Sequence, residues 1–234
     1  MHIANGIIDG QVAAAFAAFA VVVLVICVVR GRRDLDDRLA PMAGLVAAFV
    51  FAVQMLNFPV LPGVSGHLLG GALAALLVGP WVGALCVSIV LVVQSLVFAD
   101  GGLTALGLNI TNMAIIGTAA GYLLIALLLR VLPRTPVGLG VTALVASVVS
   151  VVVASQGFVL EFWLGGEVKL DMSLAHISAV MAGVHTLIGI GEGLIAAVTV
   201  TTVARIRPDL VYALRGIRRR EAAERDLVAV GGAV

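Results

Sequence analysis

The chain has 234 residues, 62% of them hydrophobic and 12% charged, with a formal net charge of +1 and a mean hydropathy of +1.18. That composition excludes a soluble globular domain, and nothing in the sequence suggests nucleic-acid binding, since the basic residues line one membrane face. A spanning helix needs about 20 apolar residues, so the length suits an all-α integral membrane protein of six or seven spans in one domain, residues 1–234.

Residues 1–11 carry no Lys or Arg ahead of the apolar run 12–29, so they lack the basic start of a cleavable signal peptide and are read as retained. The first basic cluster, Arg30, Arg32, Arg33 and Arg38, follows that run and fixes its end as cytoplasmic. Residues 43–57 return outward, and a Gly/Pro loop, 57–66, follows. Residues 66–78 dip inward to Gly79-Pro80, and 81–98 rise again to Ala99-Asp100. Residues 106–129 descend to Arg130 and Arg134, 138–160 ascend to a polar loop, and 173–204 descend to a basic tail, 205–234. With this threading all 13 arginines fall inside and Lys169 alone outside, which predicts a compact bundle of about seven spans with the N-terminus out and the C-terminus in. Asp9, Asp100, Glu161, Glu167 and Asp171 are assigned to an acidic outer rim. The tail is read as an anchor on the anionic inner leaflet, with a partner contact as the alternative.

Residues 57–81, NFPVLPGVSGHLLGGALAALLVGPW, break the apolar pattern and place His67 among glycines and prolines. Such a break is tolerated at membrane depth where it lines a protein-enclosed cavity, which puts the imidazole where a solute arrives. The second candidate is the N-terminus. The large side chain at position 2 blocks removal of the initiator methionine, so a chain starting at Met1 sets a free amine beside His2. The Met1 amine, the His2 backbone nitrogen and a His2 ring nitrogen can close fused five- and six-membered rings on one metal ion, with a fourth in-plane position left for His67. Tetragonal nitrogen coordination suits Ni(II) and Cu(II), and imidazole also binds Co(II) and Zn(II).

In the last span, His185 and Glu192 share a helical face, and an intramembrane carboxylate is a functional candidate by default. A structural role, with Glu192 bonded to the backbone of GIGEG or paired with His185, is the alternative. Gln54, Asn57, Gln94, Asn109 and Asn112, with Ser65 beside His67, could orient the histidines or join helix to helix. Small residues at four-residue spacing mark close helix contacts: Ala13/Ala17, Ala14/Ala18, Gly66/Gly70, Gly117/Gly121 and Gly189/Gly193. The alanine pairs are candidates for docking a separate membrane subunit, with internal packing as the alternative. Cys27 and Cys86 lie in apolar runs and suggest neither a disulfide nor a thiolate site. The sequence carries neither a GxxxxGK[ST] loop nor HExxH, so an energy source for driven transport must sit on another chain.

Four stretches, MHIANGII, residues 57–81, QSLVFADGGLTALGLNITNMAIIG and HTLIGIGEGLIAA, resemble the CbiM/NikM family of substrate-capture subunits of cobalt and nickel energy-coupling factor (ECF) transporters. The resemblance implies a seven-helix membrane fold in the bacterial plasma membrane and a metal held by Met1, His2 and His67. It implies as partners a membrane coupling subunit, a cytoplasmic ATPase pair and, in many systems, a small accessory membrane protein. Asn5 departs from the acidic residue of many relatives, and an extension found in some members is missing, so an accessory protein would be a separate chain. The expectation is a non-enzymatic metal-specificity permease subunit for Ni(II) or Co(II), with no cofactor beyond the transported ion. Two alternatives remain at this stage: an intramembrane metalloenzyme built on His185 and Glu192, and a non-catalytic scaffold whose histidines are packing residues.

Overall fold

The computed structural model describes residues 1–37 and 39–215. It is a bundle of seven helices: α1 (Gly10–Gly31), α2 (Leu39–Gln54), α3 (Gly71–Val78), α4 (Pro80–Val97), α5 (Leu106–Leu128), α6 (Pro136–Gly165) and α7 (Leu174–Ile206). All but α2 and α3 are long and apolar enough to cross a membrane. Their limits follow local chemistry. Asp9 caps α1 by accepting from Gln11 N at 2.7 Å, Thr135 accepts from Gly138 N at 3.1 Å ahead of Pro136 at the first turn of α6, and Ser173 accepts from His176 N at 3.2 Å at the start of α7. In α5 the run Ile110–Gly117 widens into π-helix, a local form frequent at functional sites.

The eight residues of α3 are all buried, so this half-length helix is the centre around which the longer ones are arranged. Small residues let neighbours approach: Gly121 of α5 faces Ala72, and Gly189 and Gly193 of α7 lie against the α6 backbone at Val148 and Leu144. Gly117 has only ordinary contacts, with a side chain there meeting Ala154 at 3.7 Å. At the basic end Arg30 lies 5.9 Å over the Trp81 ring, and Arg215 reaches Asp34 O at 3.3 Å and Asp36 Oδ2 at 3.6 Å. Residues 216–234, most of the expected tail, lie outside the described residues.

Three expectations need correction. The loop 57–66 is a small sheet: β2 (Phe58–Leu61) and β3 (Val64–Gly66) form a hairpin, and β1 (His2–Ile3) adds to β3, all antiparallel in the order β1-β3-β2. Pro59 is admissible because β2 is an edge strand. Gly66 and Gly70 therefore do not share a helix face; the helix begins only at Gly71, since Gly70 adopts φ 80°. Finally, α6 runs five residues past its expected end at 160 and carries Glu161 into the interior, fully buried rather than on the outer rim.

Candidate metal-capture site

β1 carries the first residues into the protein and β3 carries the approach to His67, so pairing His2 with Ser65 brings the two sequence candidates to one place. Met1 is 0% exposed, His67 1% and His2 4%. The Met1 amine is in direct contact with His67 Nε2 and 3.1 Å from Met113 Sδ. His67 Nδ1 donates to Leu68 O at 2.7 Å, and because a carbonyl only accepts, Nε2 is left with its lone pair toward the amine. The His2 and His67 rings meet edge to face, with centroids 4.5 Å apart at 79°. Both ring nitrogens of His2 are buried without a hydrogen-bond partner.

Each half of this arrangement has its own support. Asn109 clamps the peptide after His2, accepting from Ile3 N at 2.9 Å and donating to Ile3 O at 3.3 Å, while Gly102 N donates to the same oxygen at 2.8 Å. Asn5 accepts from Thr104 N and Oγ1 at 2.9 and 2.8 Å, tying the N-terminal strand to the 99–105 loop. On the other half, Glu192 accepts from Leu69 N at 2.6 Å and Gly70 N at 3.1 Å, and Gln54 Nε2 donates to Leu69 O at 2.7 Å. The chain two residues past His67 is thereby latched from both sides. Glu192 thus serves the break itself, in place of GIGEG or His185.

The remaining candidates are dispersed. His185 is fully buried and its Nδ1 donates to Met181 O at 2.8 Å. Asn112 donates to Glu161 Oε2 at 2.7 Å, joining α5 to α6. Gln94 accepts at its backbone carbonyl from Asp100 N at 3.0 Å, and Ser65 Oγ is buried without a partner. The alanine stripe of α1 is split: Ala17 lies against Gly107 of α5 and Ala13 is buried, whereas Ala14 and Ala18 are exposed. Sequence reading missed Met113, whose residue type inside an apolar run signals only core, and the contact of Asp100 with the site.

Electrostatics follow burial. Desolvation holds the Met1 amine well below its ordinary value, against the opposing pull of Asp100 and Glu192. It lowers His67 likewise, helped by the amine, and pushes His2 down to about 3, again with help from the amine. Burial also raises Asp100. The 3.4 Å approach of His2 Nδ1 to Asp100 Oδ1 is therefore the contact of a neutral ring with a carboxylate rather than an ion pair. An open cavity of about 420 Å³, lined by His2, Asn5, Asn57, Ser65 and Asp100 among others, leads to this spot. Among the described residues no three His, Cys, Asp or Glu side chains converge on a metal-sized site. What converges is two imidazoles and an amine, a nitrogen set suited to a borderline transition-metal ion.

Fold and site thus define a multi-pass helical membrane protein with buried, uncharged nitrogen donors beneath a surface cavity. A family profile described as the cobalt uptake substrate-specific transmembrane region, CbiM, matches residues 2–210. The chain belongs to this family, whose members are transporter components and not enzymes. A protein of Archaeoglobus fulgidus named for fused nickel transport, NikMN, is 38% identical over 90% of this chain and 68% of its own length. A cobalt transport protein CbiM of Sorangium cellulosum is 30% identical over 93% and 97%. A crystal structure described as a truncated transition metal transporter superposes with a TM-score of 0.77 at 26% identity, covering 88% of this chain and 99% of that one.

Proposed function

We propose that the chain is the substrate-capture subunit of an ECF-type transporter and takes up Ni(II) or Co(II) from the outer side. The Met1 amine, the His2 backbone nitrogen, the His2 imidazole and His67 Nε2 hold the ion. The observation that carries this reading is the burial of the Met1 amine against the lone pair of His67 Nε2, beside a His2 ring whose nitrogens have no hydrogen-bond partner. Burial that disfavours the charged forms of the amine and the two rings lowers the proton competition for those three donors, the His2 amide is the donor that releases a proton on binding, and the basic end faces the cytoplasm. The names of the nickel and cobalt relatives support the class of ion. On this reading driven uptake uses a membrane coupling subunit and a cytoplasmic ATPase pair, the partners that the resemblance to cobalt and nickel transporters implies, with a small accessory membrane protein in many such systems. No cofactor beyond the transported ion is called for.

Calorimetry on the purified chain tests the reading. His2→Ala and His67→Ala each abolish high-affinity binding of Ni(II) and Co(II) while the melting transition persists, and one residue added before Met1 does the same. An extended N-terminus that binds metal as tightly as the native one overturns the chelate.

A further inference from the structure

The proposed nitrogen set is nearly planar by its chemistry, since fused chelate rings and a d⁸ ion both favour a plane. A planar set leaves the positions above and below the ion to other groups, and one further soft donor lies against the set. Met113 Sδ sits 3.1 Å from the Met1 amine nitrogen, on a side chain that is fully buried. It projects from the π-helical stretch of α5, one turn after Asn109, the residue that clamps Ile3. Nitrogen and sulfur ligands lying roughly 2.0 and 2.3 Å from one ion and at right angles to each other are about 3.1 Å apart. The observed separation is compatible with a cis nitrogen–sulfur pair on a single ion, a weak axial thioether standing somewhat farther from the metal.

On the reading of the site given above, we infer that Met113 is an additional metal ligand, an apical thioether that determines which ion the site prefers. Low-spin d⁸ Ni(II) in a plane of four nitrogens has a filled orbital along the apical axis and gains little from a fifth donor. Co(II), with seven d electrons, has a half-filled orbital there in the low-spin state and does gain. A soft, weak apical sulfur therefore raises affinity for Co(II) relative to Ni(II), and its loss shifts the preference toward nickel. In the metal-free chain the same geometry serves as an N–H···S contact from the amine, which keeps the thioether at hand.

The test uses the purified full chain and Met113→Leu, a swap of nearly equal volume, each loaded separately with Co(II) and Ni(II). X-ray absorption at the cobalt edge of the native chain shows one sulfur scatterer among nitrogens, and Met113→Leu shows none. Competition binding shows Co(II) affinity down about tenfold in the variant, within the range for a ligand-supporting side chain, and Ni(II) affinity down less than threefold. A nitrogen-only shell in the native chain overturns the inference and leaves the capture reading intact. A sulfur shell that persists in Met113→Leu also overturns it and assigns the scatterer to the Met1 thioether. If instead the native chain binds neither ion, or His67→Ala binds both as tightly as before, the capture reading itself falls. Equal losses of both ions in Met113→Leu, with an unchanged melting transition, overturn the role in selectivity.

Discussion

At the scale of single residues, the proposed site depends as much on the amide and carboxylate groups that hold its backbone as on its nitrogen atoms. Asn109 holds both the N–H and the C=O of Ile3, which fixes the rotation of the His2 peptide. Asn109→Leu strands the buried Ile3 N–H, while Ile3 O keeps Gly102 N as donor, at a cost of about 1–3 kcal/mol, and metal affinity measured by calorimetry drops about 10–100-fold; unchanged affinity would show that the strand holds His2 without it. The proposed donors could be picked out in the sequence because amine, amide and imidazole at positions 1 and 2 can form a chelate through covalent geometry alone, and His67 stood out in a break no helix could continue; the structure brings the Met1 amine and His67 together. Asn109 was legible only as a polar residue near the outer end of a helix. Its two-point grip on a peptide 106 positions away is a tertiary fact, and the nearness of Met113 to the amine is another.

At the scale of elements, the decisive one is the latch at the start of α3. A short helix presents unpaired N–H groups at its N-terminus, and a carboxylate satisfies them and meets the helix dipole favourably; Glu192 does so from α7. Glu192→Leu destabilises the chain by about 2–5 kcal/mol in detergent melts, whereas Glu192→Gln retains an acceptor oxygen and costs less. Gly70→Ala is expected to cost about 1–3 kcal/mol from backbone strain alone, because φ is 80°, and more from the clash of a Cβ that would lie 2.7 Å from Val50 Cγ2. A Gly70→Ala chain that melts like the native one would show that α3 can begin elsewhere. Helix number and order followed from apolar runs and arginine placement. The sheet did not, because two- to four-residue strands have no periodicity to read and β1 is a strand only by virtue of β3. Glu161 was misassigned because a carboxylate near a helix end reads as solvated, and the α5 amide that receives it, Asn112, is distant in sequence.

At the scale of the whole molecule, a polar site is buried against an apolar bundle, and that couples fold to acidity. The unfolded chain protonates His2 near its ordinary 6.5, while in the folded chain burial holds it to about 3. Below about pH 6.5 the unfolded state therefore binds protons that the folded state refuses. The share of metal-free stability that His2 supplies is fully present above that value and falls as pH drops toward 3, by up to about 1.4 kcal/mol per pH unit. The Met1 amine and His67, also lowered, add losses of the same sign. Melting temperatures of the metal-free chain at pH 8, 6.5 and 5 are expected to fall in that order, most steeply in the last interval, and less so in His2→Ala. A flat profile would mean that the rings are charged in the fold.

The latch also bears on the order of biosynthesis. Leu69 and Gly70 are separated from Glu192 by 123 and 122 positions, and membrane helices are inserted as the chain is made. Every donor nitrogen is in place by residue 67, yet the loop that presents the last of them stays unfastened until the final span has entered the bilayer and found its neighbours. A chain interrupted before that point has the proposed ligands without the frame, so under the capture proposal the ability to hold an ion tightly would certify that synthesis and insertion were completed.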